Sequence, residues 1–290
     1  MFFPDETSNV AANIQKSDDY QHLAPLQRII NYLKNGEDKQ CDPYILNTHK
    51  LLLEEDLEAI ERITTGQAAS EAWHEIRRGM MTASNFHRIR SRTKTLKQHP
   101  GESPDALLRQ LCRVSTNFYT MPASLEWGQK NEKKALKCYK KVAQKLHARF
   151  QVAKAGLTVC RENFLLGCSP DGMCFCKCPK QKCPRQWLVE IKCPYAFRYC
   201  PAKVAAQNNG CFYSHDKKKW MLDKTHKHYT QVQGLMGIMK CINLDFVVYT
   251  SKGVLIVPVN FDQVFFDNLI EDLQYFQENY LFPYFLKVYS

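Results

Sequence analysis

A chain of 290 residues with 44% hydrophobic side chains can bury one large core, or one core with a small helical extension. No run approaches the roughly 18 apolar residues of a membrane helix, and the opening MFFPDETSNV has neither a basic leader nor an Arg-rich transit pattern, so neither a membrane partner nor secretion is expected. An intracellular chain keeps its 13 cysteines reduced, for packing, metal binding or catalysis, and the net charge of +11 admits a polyanionic partner without identifying it.

Residues 1–70 read as an N-terminal helical extension. In PLQRIINYLKNG, Leu26, Ile29, Ile30 and Leu33 recur at helical spacing, and Asn35-Gly36 is a stop signal. THKLLLEEDLEAIERITTG repeats the pattern, with Thr48 as a cap and Gly66 beyond its end. Residues 71–290 follow a different plan of helices, then strands, then helices. SEAWHEIRRG predicts a short helix and TASNFHRIRSR another, starting at Thr82 or Ser84. In SPDALLRQLCRV, Ser103 caps a helix that has Pro104 at its first position. WGQKNEKKALKCYKKVAQKLHARF predicts a long basic helix whose buried stripe takes Glu132, Ala135, Leu136, Tyr139, Val142, Ala143 and Leu146.

Short β-type runs follow in KAGLTVC, NFLLGCS and QWLVEIK, while DFVVYT and VLIVPV flank Ser251-Lys252-Gly253 as a hairpin. THKHYTQVQGLMGIMKCI predicts a helix ahead of that hairpin, and DQVFFDNLIEDLQYFQENYL an amphipathic closing helix. There is no internal repeat. The order implies an α/β domain with a mixed central sheet flanked by helices.

In QWLVEIK the strand period of two puts Leu188, Glu190 and Lys192 on one face and Trp187, Val189 and Ile191 on the other. Alone, this describes any salt-bridged strand face. Asp171, at a strand end before Gly172, changes the reading, because the 19 residues from it to Glu190 (190 − 171) suit a hairpin that brings the two carboxylates together. Two hard oxygen donors converging on one point suit Mg²⁺. Glu132, at the edge of a buried stripe, needs a cation or a hydrogen-bond partner; a neighbouring lysine is the plain alternative.

The blocks AWHEIRRGMMTAS, LEWGQKNEKKA, CSPDGM, VEIKCP and YTQVQGLM, in this order over about residues 71 to 259, resemble the lambda-exonuclease, or YqaJ-like viral recombinase, branch of the PD-(D/E)xK nucleases. The resemblance implies a restriction-endonuclease-like core and Mg²⁺-dependent hydrolysis of duplex DNA, with Mn²⁺ as an alternative ion. The expected enzyme is a 5′-to-3′ exonuclease acting from 5′-phosphorylated ends in recombination or repair. By the same resemblance Asp171, Glu190, Glu132 and the carbonyl of Ile191 are metal ligands, Lys192 orients or activates the attacking water, and Gln231 stands near the scissile phosphate. Arg77 and Ser84 match the pair that holds a 5′-terminal phosphate, and Arg92 or Lys94 in RSRTK is a further basic candidate.

The family also implies a ring-shaped homotrimer around DNA and a single-strand annealing partner. Location follows only from DNA as substrate: intracellular, and in a eukaryote the nucleus rather than the mitochondrion. The basic helix and SHDKKKW would attract a phosphate backbone without reading sequence. Two rival readings stay open, an endonucleolytic or structure-specific enzyme and a catalytically idle DNA-binding protein. An idle descendant should have lost some of Glu132, Asp171, Glu190 and Lys192, and all four are present.

A cysteine-rich insert at 173–186 separates the two acidic motifs. Cys174, Cys176, Cys178 and Cys183 form C-x-C-x-C-x₄-C, unlike the C-x₂-C pairs typical of zinc sites. Reduced thiols on a hairpin, a Zn²⁺ site on these four, and a disulfide remain open, in that order of preference; on a strand the first three thiols point to one side, with 179–182 as the turn. An iron-sulfur cluster is disfavoured, because the cysteines lie inside the nuclease core and do not flank it. Cys168 and Cys193 read as packing residues. His74, His87, His215, His226 and His228 show no metal-ligand spacing, and HKH at 226–228 reads as a helix start.

Overall fold

A computed structural model describes residues 18–35, 52–112, 121–179 and 183–289. Thr48, Gly36 and residues 180–182 of the expected turn lie outside these, as does the side chain of Leu33. The first helices are α1 (Pro25–Asn35), α2 (Glu54–Ile63) and α3 (Glu71–Ile76). The Leu53 N–H donates to the Asp56 carboxylate at 2.8 Å, so an acid inside the first turn of α2 supplies half of a capping box. Ser70 caps α3 through its hydroxyl, which accepts from the Trp73 N–H. Strand β1 (Met81–Thr82) runs directly into α4 (Ala83–Gln98). Next come α5 (Asp105–Cys112), whose first N–H is taken by the Ser103 hydroxyl, and the long α6 (Ala123–Leu146).

The strands β2 (Gln151–Ala153), β3 (Thr158–Val159), β4 (Leu166–Cys168), β5 (Gly172–Phe175) and β6 (Gln186–Lys192) follow. After α7 (Ala202–Gln207) come a hairpin of β7 (Cys211–Ser214) and β8 (Lys219–Leu222), helix α8 (Lys227–Ile238), strands β9 (Asn243–Thr250) and β10 (Gly253–Asn260), and helices α9 (Gln263–Phe276) and α10 (Phe282–Tyr289).

Five strands form a central sheet in the order β10-β9-β6-β5-β2, and β1-β4-β3 form a second. The central sheet is mixed: β6 pairs with β9 in parallel, and its other pairs are antiparallel. Gly253, at φ +131°, lets the chain turn from β9 into β10 in a conformation that side chains rarely adopt.

Both faces of β6 are covered, which its alternation permits only because each face carries apolar side chains. Leu188 joins Leu244, Phe246 and Val248 of β9 in a large core with Phe86 and Ile89 of α4 and Val232 and Leu235 of α8. Trp187, Val189 and Ile191 face Ala135, Tyr139 and Ala143 of α6 in a smaller core. Each fully buried large side chain in such a core contributes roughly 1.5–3 kcal/mol.

Leu26 and Ile29 of α1 and Ile60 of α2 are buried in the large core, so the helices before residue 70 share it with the strands that follow. Contact there is tight: a Cβ on Gly156 would collide with the Glu61 carbonyl oxygen. The buried Thr64 hydroxyl accepts from the Leu157 N–H at 2.7 Å, and Gln67 Nε2 donates to the carbonyls of Ala155 (3.0 Å) and Pro170 (2.9 Å).

The structure corrects several expectations. α6 starts at Ala123 and stops at Leu146, where the chain turns extended at His147. Its buried stripe is Asn131, Ala135, Tyr139 and Ala143, while Val142 and Leu146 are 37% and 71% exposed. Residues four apart form the seam against the sheet, and positions 142 and 146 fall on the flank of that seam. The segment 173–175 is not insert but part of β5, a strand of the central sheet. β2, β7 and β8 are strands with no clear sequence signal, and KAGLTVC shrinks to two strand residues. The closing helix passes through one π-helical turn at Gln277–Leu281 before α10.

Candidate active site

The hairpin of β5 and β6 aligns the acids. Gly172 pairs with Val189, so the next position outward sets Asp171 opposite Glu190. The Ile191 N–H donates to Asp171 Oδ2 at 2.5 Å, holding the aspartate against the strand that carries the glutamate. Glu190 is only 3% exposed. Its Oε1 accepts from Lys192 Nζ and from Gln231 Nε2 of α8, both at 2.7 Å.

A cleft of about 410 Å³ opens over these groups, lined by Glu132, Asp171, Glu190, Ile191, Lys192 and Gln231, and also by Arg77 and Ser84. Glu132 stands on the exposed side of α6 at the cleft. Protein crowding out water, ahead of repulsion from Glu190, raises its carboxyl pKa. Burial first, and Glu190 next, hold the Asp171 carboxyl well above the usual carboxylate range. Burial works to lower the Lys192 pKa, but Glu190 and Asp171 outweigh it and raise the ammonium above its ordinary value. Lys192 is therefore a cation at neutral pH.

Glu190 Oε2 is buried and, among the described residues, has no hydrogen-bond partner. An orphaned carboxylate oxygen in a nest of three acids and one ammonium fits a hard cation, which takes oxygen donors and neutralises their repulsion. Burial pushes the nearby Cys193 thiol up to about 12. Cys168 is buried in the core.

At the other side of the cleft the Arg77 guanidinium lies 3.6 Å over the ring of Trp73 and donates to Thr82 Oγ1 (3.1 Å) and Ser84 Oγ (3.4 Å). Trp73 is itself fixed by its Nε1–H, which donates to Ser169 Oγ at 3.0 Å. Burial lowers the Arg77 pKa to about 10, which leaves it charged at neutral pH. Among the described residues no carboxylate pairs with it. A planar cation held by hydroxyls and an indole face, with its charge uncompensated, is suited to a phosphate.

The structure does not bring every candidate here. Arg92 is turned to Glu102 and donates to the Ser103 carbonyl at 2.8 Å, away from the cleft. Lys94 is exposed and does not line the cleft. Cys174 leaves the other cysteines and faces the buried hydroxyl of Tyr139 at 3.5 Å. His226 caps α8, its Nδ1 accepting from the His228 N–H. Trp73, Thr82, Ser169 and Gln129 also line the cleft. Trp73 was findable, because it precedes Arg77 by four residues on one helical face.

A model of the YqaJ-like viral recombinase domain matches residues 72–241. The chain belongs to that family. Among curated proteins none matches the sequence. Of solved structures, an alkaline exonuclease (LHK-Exo) from Laribacter hongkongensis is 18% identical, with a TM-score of 0.53 over 76% of this chain and 96% of that one; the same protein in complex with dAMP gives the same figures. A SOX–DNA complex is 12% identical, with a TM-score of 0.53 over 97% of this chain and 96% of that one. At these identities the likeness is one of fold, and that fold is of the PD-(D/E)xK type.

Proposed function

We propose that this protein is a divalent-metal-dependent deoxyribonuclease that degrades duplex DNA 5′ to 3′ from 5′-phosphorylated ends. The observation that carries the reading is the union in one cleft of Asp171, Glu190, Glu132, Lys192 and Gln231 with the Arg77–Ser84 pair. Mg²⁺, or Mn²⁺ in its place, would be held by Asp171, Glu190, Glu132 and the Ile191 carbonyl. Such an ion supplies an activated nucleophile at neutral pH and neutralises developing phosphate charge.

The chain's own residues do the rest. Lys192, anchored on Glu190 Oε1, would orient or activate the attacking water. Gln231 fixes the same carboxylate oxygen from α8, so Glu190 cannot swing away from the reacting phosphate. Arg77 and Ser84 would grip the terminal phosphate, and that grip sets the distance to the bond that is cut.

Exposed lysines Lys133, Lys134, Lys137 and Lys141 on α6, and Lys217, Lys218 and Lys219 at the β7–β8 hairpin, supply a charged path for the backbone. The hairpin adds exposed Phe212 and Tyr213. DNA as the ligand class is carried over from the SOX–DNA complex and the dAMP complex of LHK-Exo. A homotrimer and an annealing partner belong to the same proposal by family resemblance, and sedimentation in the presence of DNA would report three copies.

The test is digestion of linear and nicked-circular duplex carrying either 5′-phosphate or 5′-hydroxyl, with Mg²⁺ and with EDTA. The reading requires Mg²⁺-dependent loss of linear 5′-phosphorylated duplex. Cutting of intact circles would replace it with an endonuclease, and DNA binding without digestion would leave an idle binder.

A further inference from the structure

We propose that His147, Cys176, Cys178 and Cys183 bind one zinc ion that clamps the end of α6 to the connection between β5 and β6. Four ligand atoms, three sulfurs and one imidazole nitrogen, lie within 4.8 Å of one another. Cys176 Sγ is 3.1 Å from Cys183 Sγ, and His147 Nδ1 is 3.3 Å from Cys183 Sγ and 3.8 Å from Cys178 Sγ. Around a tetrahedral zinc with Zn–S near 2.3 Å, neighbouring sulfurs sit about 3.8 Å apart. The observed cluster therefore closes on an ion with shifts of less than an ångström or so.

The ligand set differs from the C-x-C-x-C-x₄-C reading. On a strand rising about 3.4 Å per residue, Cys174 lies roughly 7 Å along the chain from Cys176, and its thiol is spent on Tyr139. The chain leaves β5 after Phe175, which frees Cys176 and Cys178 to converge as strand residues could not. The fourth ligand comes from elsewhere. α6 ends at Leu146, and His147 turns extended (φ −126°, ψ 128°), which brings its imidazole to the thiols.

Outer contacts fix that arrangement. The Ala148 N–H donates to Cys178 Sγ at 3.2 Å, and the Lys177 N–H donates to the Ala148 carbonyl at 2.9 Å. The imidazole packs against Trp187 with ring centroids 4.7 Å apart. Such surroundings orient first ligands in metal sites generally.

Donor chemistry selects the ion. Three thiolates and an imidazole with no carboxylate suit a soft or borderline metal, and four protein ligands leave no open position, so the ion is structural. A disulfide between Cys176 and Cys183 would use two of the four groups and leave the approach of Cys178 and His147 without a cause. The consequence is positional. α6 carries Glu132, the β5–β6 hairpin carries Asp171 and Glu190 at its other end, and the zinc ties these two elements together.

The deciding experiment is metal analysis of the full-length protein purified in reducing buffer, alongside Cys176→Ser, Cys183→Ser, His147→Asn and Cys174→Ser. The expected result is about one zinc per chain in the native protein and in Cys174→Ser, falling roughly fivefold or more in the other three. Stripped native protein titrated with Co²⁺ should show the visible absorption of a tetrahedral thiolate site at about one equivalent. That readout stands even where a variant misfolds. Absence of zinc uptake by the native protein, an intact mass showing a disulfide, iron in place of zinc, or retention in His147→Asn with loss in Cys174→Ser would each overturn the proposal. None of these readouts depends on nuclease activity.

Discussion

The two ends of the β5–β6 hairpin make opposite demands on a metal. At one end Asp171 and Glu190 present oxygens to an open cleft, with one carboxylate oxygen left unpaired among the described residues. At the other, three cysteines and His147 draw together against α6. Hard donors in an open cleft suit an ion that keeps exchangeable positions for substrate, whereas soft donors that close around an ion suit one that holds chain segments in place. One hairpin can therefore carry both chemistries without the two ions competing for each other's seats.

Breaking the open end should have the largest effect. Asp171→Ala or Lys192→Ala should lower Mg²⁺-dependent digestion by about 10³-fold or more, with DNA affinity changed little in a filter-binding or anisotropy titration. Substantial digestion by either variant would remove the site from this cleft. Breaking the closed end should look different. Cys176→Ser should lower the melting temperature by about 5–10 °C, while turnover per folded molecule at a temperature below the transition falls far less than in Asp171→Ala. Equal losses in both assays would mean that the two ends are one functional unit.

Arg77→Ala sharpens the comparison within the cleft itself. Losing a charge-assisted contact worth about 1.5–3 kcal/mol should cut the preference for 5′-phosphorylated over 5′-hydroxyl ends by tenfold or more. A competition assay with both ends present reads that ratio directly, and an unchanged ratio counts against the end pocket. The smallest effect belongs to Gln67→Ala, which removes two hydrogen bonds around the loop before Asp171 at about 1 kcal/mol each. Steady-state rates should drop only a few-fold, with 5′-end preference intact.

What was legible in the sequence follows from how local each signal is. Glu190 and Lys192 share one face of β6 by the strand period of two, and Asp171, just ahead of β5, lies a span away that suits a hairpin. Arg77 and Ser84 were found through a family block, and the structure adds the Trp73 face beneath the guanidinium. Arg92 shows the limit. Spacing along α4 cannot reveal that Glu102 and the Ser103 carbonyl, from the approach to the next helix, have already taken it. His147 shows the same limit from the other side, since it reaches the cysteines only because α6 stops where it does. β5 was hidden because cysteines interrupt its pattern, and β7 and β8 because their hairpin is short and lysine-rich.

The grip of the first helices on the strands bears on how this protein could be made smaller. A fragment cut before residue 71 would strip the Thr64 hydroxyl from the Leu157 amide and the Gln67 amide from the Pro170 carbonyl, and would bare the floor on which Ile29 and Ile60 rest. Trimming after Cys241 would remove β9, the parallel neighbour of the strand that carries Glu190. The stretch that defines the family is thus shorter than the set of segments that share its core.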